Sequence, residues 1–166
     1  MKQKLHDHFV KFGPRRFVVT TVLILILTDL LNGYYLKLYW MAKNVSESLV
    51  ITGLKRGGGV LEEITPSTMR EMTGFVDNSF YFFLFVILVN NLFFYFFYLR
   101  QKLWAQGFVL FYTLSAAFFS ITFIFDDVDL GFAWMLYNIL TIPLYLYLFL
   151  GVKVLKHETT SLVSEK

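Results

Sequence analysis

The stretch FYFFLFVILVNNLFFYFFYL, Phe80 to Leu99, runs 20 residues without a charge, and it decides the fold class. At a rise of 1.5 Å per residue it reaches about 30 Å, the thickness of a bilayer's hydrocarbon core. Three more blocks are of the same kind: Phe17 to Trp40, Leu103 to Phe125 and Phe132 to Val152. They are too continuous to be single faces of amphipathic core helices. Inside lipid the backbone must satisfy its own hydrogen bonds, and no period-2 alternation suggests a barrel. The expected fold is all-α: an integral membrane four-helix transmembrane bundle over residues 17–152. A cytoplasmic interfacial segment, 1–16, precedes it, and a cytoplasmic tail, 153–166, follows.

Composition agrees. Of 166 residues, 57% are hydrophobic, 20% aromatic and 16% charged, whereas soluble domains are near half apolar and a quarter charged. Cysteine is absent, which excludes disulfides, thiolate metal sites, thiol nucleophiles and lipid attachment through cysteine. Lys11, Arg15 and Arg16 before an apolar run look like the start of a signal peptide. The run continues through Tyr34, Tyr35, Tyr39 and Trp40 with no small-x-small site, so an uncleaved span is expected.

Charge placement predicts orientation. Lys2, Lys4, Lys11, Arg15, Arg16, Arg100, Lys102, Lys153, Lys156 and Lys166 fall on one side of the four spans. Only Lys37, Lys43, Lys55, Arg56 and Arg70 fall on the other, together with eight acids in its two loops. The positive-inside rule then puts both termini in the cytoplasm, at a plasma or inner membrane. These cations are topology signals facing anionic lipid, and no nucleic-acid partner is expected. Tyr39, Trp40, Trp104 and Trp134 fall at the span ends, as in an aromatic belt.

The external loop 41–79 is expected to be partly helical. Gly57-Gly58-Gly59 reads as a hinge, since no lysine motif or preceding strand makes it a phosphate loop. Thr65-Pro66 has the form of a helix start, cap then proline, feeding the second span. Asn44-Val45-Ser46 matches a glycosylation sequon. At the other end, Leu5, Phe9 and Phe12 share one face of a helix lying along the interface until Gly13-Pro14 breaks it. His6 and His8 point about 200° apart on such a helix, so with His157 they are read as solvated, and no metal or cofactor is expected.

Polar residues inside the spans carry the functional signal. Asp29 lies near the centre of the first span, where an acid costs about 2.5–3.5 kcal/mol on insertion scales and faces protein or water. On a 100° step, Asn32 is about 60° from it, Gly33 about 40° and Thr21 about 80°, with Leu25 between. Asn90 and Asn91 occupy the middle of the second span but are about 100° apart. In the fourth, Asn138 shares a face with Trp134, Thr141 and Tyr145. Thr113, Ala116, Ala117 and Ser120 form a small-residue stripe in the third, read as close helix packing. The acidic turn Asp126, Asp127 and Asp129 is at most a weak cation attractor, lacking the features of an EF-hand.

Two readings of Asp29 follow. Held protonated, it can donate to one or two of the asparagines and fix the bundle. Alternatively it serves an ion or proton path, a ligand pocket or a partner helix. No arginine-repeat helix, second intramembrane acid or intramembrane histidine is present, so a voltage sensor, a carboxylate dyad and an enzyme are disfavoured. The leading expectation is an oligomeric ion or proton channel or transport protein using Asp29, Asn32, Asn90, Asn91, Asn138, Thr141 and Tyr145. The alternatives are a lipid or hydrophobic-ligand binding module, or an accessory subunit of a larger membrane complex. Expected partners are membrane lipids, with further copies of the chain or other membrane subunits.

Overall fold

The computed structural model describes residues 2–42, 51–53, 55–56, 66–125 and 131–164, and all regular structure among them is α-helical. Helix α1 is Lys2–Phe12, α2 Pro14–Ala42, α3 Pro66–Leu99, α4 Leu103–Ile124 and α5 Phe132–Ser164. Four stretches have the length and apolarity to cross a membrane: Pro14–Tyr39, Met69–Leu99, Leu103–Ile124 and Phe132–Lys156. The chain is an all-α, four-helix integral membrane protein. Large apolar side chains such as Leu23, Phe82, Phe83, Phe111 and Phe118 are well exposed, which suits contact with lipid. The sequon at Asn44, the glycine run, the acidic turn 126–129 and the His157 side chain lie outside the described residues.

Helix α3 begins at Pro66, where the missing amide hydrogen costs nothing in a first turn. It continues through Gly74 to Leu99, 34 residues in all. At 1.5 Å per residue that is about 51 Å, well beyond the hydrocarbon thickness.

The chain divides into two compact units, residues 1–29 with 91–166, and residues 30–90. The first has a core of Phe17 and Leu25 from α2, Tyr95 and Tyr98 from α3, Val109 and Ala117 from α4, and Tyr145, Leu148 and Val152 from α5. Helix α4 packs along α5. On α4, Thr113, Ala117 and Ser120 are buried and Ala116 is half-buried; side chains this small let helix backbones approach.

Helix α1 folds back onto α5. Gly13 makes the corner at φ +91°, in the left-handed region open to glycine. Phe9 is then fully buried, its ring 5.2 Å from Phe17 and 5.1 Å from Tyr147. His8 Nε2 lies 3.0 Å from the Tyr147 hydroxyl. A side chain on Gly151 would run into the rings of Phe17 and Phe9. Helix α1 therefore docks on α2 and α5 through Phe9.

In the second unit, a Cβ on Gly33 of α2 would stand 3.1 Å from the Leu84 side chain of α3, so glycine permits close contact there. Lys37 Nζ meets Asp77 Oδ1 at 2.8 Å. The same ammonium lies 4.9 Å from the centre of the Tyr81 ring and 5.4 Å from that of Phe80, a position where the ring quadrupole attracts a cation.

Candidate functional site at Asp29

Helical periodicity brings the site together. On α2, Thr21, Leu25, Thr28 and Asp29 are all buried, at the spacing of one helix face. On α3, Asn91, Tyr95 and Tyr98 at i, i+4 and i+7 form a second buried stripe. From α4, Tyr112 completes the group. Asp29, only 6% exposed, accepts three hydrogen bonds. Asn91 Nδ2 donates to Oδ2 at 3.1 Å, and the Tyr95 hydroxyl donates to the same oxygen at 2.8 Å. The Tyr112 hydroxyl donates to Oδ1. All three donors are electrically neutral.

Aromatic contacts hold the phenols in place. The Tyr95 and Tyr112 rings meet edge to face at 6.4 Å, and Tyr112 stacks on Phe108 at 5.9 Å. Phe108 in turn stacks on Phe94 of α3 at 3.7 Å. Beside the carboxylate, the Tyr137 hydroxyl reaches the Thr28 carbonyl at 3.3 Å, tying α5 to the same turn of α2.

The other candidates are placed differently. Asn90 is exposed, turned away by the step of about 100° that separates it from Asn91. Asn32 is half-buried and belongs to the second unit. Asn138 is 2% exposed, but its amide donates to the Trp134 carbonyl of its own helix at 2.9 Å. Thr141 donates back to the Asn138 carbonyl at 3.1 Å and lies 3.1 Å from the Ser120 hydroxyl of α4. Asn138, Thr141 and Ser120 thus form a separate polar clasp between α4 and α5. Tyr145 is buried within electrostatic range of Tyr112. Trp134, on the same face as Asn138, is buried, with Phe123 at 5.3 Å and Tyr137 stacked at 6.1 Å.

Tyr95 and Tyr112 are the residues that sequence reasoning missed. Their signal was available. Phenols amid phenylalanines need a partner for each hydroxyl when buried, and Tyr95 is one helical turn from Asn91. Below this level Thr21 is fully buried near Tyr98, and its Oγ1 makes no hydrogen bond. Among the described residues Gln106 Oε1 is the other buried side-chain atom without a partner. No group of three or more His, Cys, Asp or Glu side chains is gathered for a metal among the described residues. No protein-family model, curated protein sequence or solved structure matches the chain.

Proposed function

We propose that the chain is a small transport or channel protein of a plasma or inner membrane, with both termini cytoplasmic, that passes a proton or small cation by way of Asp29. The observation that supports this reading is one carboxyl at membrane depth held by three neutral donors. The two carboxyl oxygens accept all three donors, where an amide would set its own N–H against one of them. A carboxyl adds exchange of a proton, and phenol hydroxyls can both accept and donate one. Buried polar groups continue from Asp29 toward the N-terminal membrane face through Tyr95, Tyr98, Thr21 and Gln106. A single four-helix unit rarely encloses a water-filled pore, so the working form is a homo-oligomer.

Liposome flux is the test. Wild-type protein should carry protons or a small cation, and Asp29→Asn should abolish this while the protein stays folded. Full flux in a folded Asp29→Asn variant rejects the proposal. Orientation is checked with Ser48→Cys and Ser164→Cys and an impermeant thiol reagent on intact cells, where labelling at Ser48 alone is expected.

A second reading, a module that binds a lipid or other hydrophobic ligand or joins a larger membrane complex, is favoured by a groove of about 630 Å³. It is lined by Phe111, Leu114, Ala117 and Phe118 of α4 with Leu146 of α5. A monomer that retains lipid through purification and gives no flux would select it.

A further inference from the structure

We propose that the corner between α1 and α2 is a binding site for an anionic phospholipid of the leaflet that faces the N-terminus. A groove of about 840 Å³ opens there, large enough for a headgroup with its glycerol. Lys11, Arg15 and Arg16 line it together. None of these cations has an ion-pair partner among the described residues, and no acidic residue lines the groove. Three unneutralised positive charges around one cavity repel one another, and a phosphate between them relieves that repulsion. Two arginines can each grip phosphate oxygens in a fork.

The corner is built before any ligand arrives. Gly13 N–H bonds the Phe9 and Val10 carbonyls at 3.2 and 3.1 Å, and Phe17 N–H bonds the Gly13 carbonyl at 3.0 Å. With Phe9 locked beneath α5, the three cations are carried on a fixed bend. Thr20 and Gln101 add neutral polar groups to the lining.

Why a lipid and not a soluble anion? The groove lies where the first membrane span begins, at Pro14. Its wall includes the apolar side chains of Phe12 and Val19. From Val19, the exposed Leu23 and Leu27 continue the same face of α2 at four-residue steps into the membrane. Cations at the boundary with an apolar track leading inward match an amphiphile with an anionic head and alkyl tails.

Delipidated full-length protein in detergent is titrated with dioleoyl phosphatidylglycerol or dioleoyl phosphatidylcholine, and bound lipid is counted by native mass spectrometry. Phosphatidylglycerol should bind at least tenfold more tightly. Each of Lys11→Gln, Arg15→Gln and Arg16→Gln should weaken it about fivefold, and the triple variant about a hundredfold. Phosphatidylcholine binding should be unchanged. The charge-conserving variant Lys11→Arg with Arg15→Lys and Arg16→Lys should keep the preference for phosphatidylglycerol over phosphatidylcholine while losing some affinity with the arginine forks. Lys153→Gln, whose cation lies outside the groove, should bind as wild type. Wild-type affinity in the triple glutamine variant overturns the proposal. So does an equal loss in Lys153→Gln, which would mean diffuse surface charge. Displacement of the lipid by millimolar inorganic phosphate would show a free-anion site and overturn it too.

Discussion

The Tyr95 hydroxyl sits 2.8 Å from Asp29 Oδ2, joining α3 to α2 across 66 residues of sequence. Asn91 shares that oxygen, and Tyr112 of α4 takes the other. Three helices therefore meet on one carboxyl, and substitutions there should report on fold and function separately.

Asp29→Asn keeps one acceptor oxygen and puts an amide donor where a donor already points. We expect a loss of about 1–3 kcal/mol of stability with loss of flux. Asp29→Leu strands two phenols and an amide, so its cost should be larger, on the order of 3–5 kcal/mol. Thermal unfolding in detergent and liposome flux on the same preparations check both.

Tyr95→Phe and Tyr112→Phe each remove one donor and preserve the ring packing. Each should cost about 0.5–1.5 kcal/mol, a modest amount because membrane hydrogen bonds average about 0.6 kcal/mol in double-mutant cycles. Because both hydroxyls serve one carboxyl, the double variant should deviate from the sum of the singles by at least about 0.5 kcal/mol. Strict additivity would mean that the two phenols act independently.

The adjacent asparagines should differ. Asn91→Leu removes a buried donor to Asp29 and should destabilise by about 1–2 kcal/mol. Exposed Asn90→Leu should stay within about 0.5 kcal/mol of wild type. Unfolding midpoints of the two variants, measured side by side, test the assignment of faces.

Gly151→Ala places a methyl group against the Phe17 and Phe9 rings. A cost of about 1–3 kcal/mol is expected from overpacking, with α1 released from α5. Gly107→Ala on α4 meets nothing within 4 Å and should be neutral or stabilising. Hydrogen exchange of the α1 amides should accelerate in the first variant only.

The membrane fold was legible because long apolar blocks allow few alternatives, and Thr65-Pro66 marked where α3 begins. Asp29 was legible for the same reason, since an acid amid Val, Leu and Ile stands out. Its partners were not. Periodicity shows that Asn90 and Asn91 diverge but not which one turns inward, and Asn138 had the polarity to join them yet bonds its own helix. Tyr112 comes from a helix whose rotation about its axis is set by packing on α5. That is a tertiary property, and no local pattern encodes it. Trp134 is buried together with Asn138 and Thr141, as their shared helix face implies.

The spacing of the Asp29 donors along the chain bears on biogenesis. Asn91 follows Asp29 by 62 residues and Tyr112 by 83. At about 5–20 residues per second, a ribosome needs roughly 4–17 seconds to supply the last of them. Through that interval α2 carries an acid whose native donors have yet to be made, at an insertion cost of about 2.5–3.5 kcal/mol. Until then the apolar residues of the nascent first span alone offset that cost, and α4 must emerge before Asp29 is fully bonded. Chains truncated ahead of Tyr112 should leave the membrane, or be degraded, more readily than those ending just beyond it.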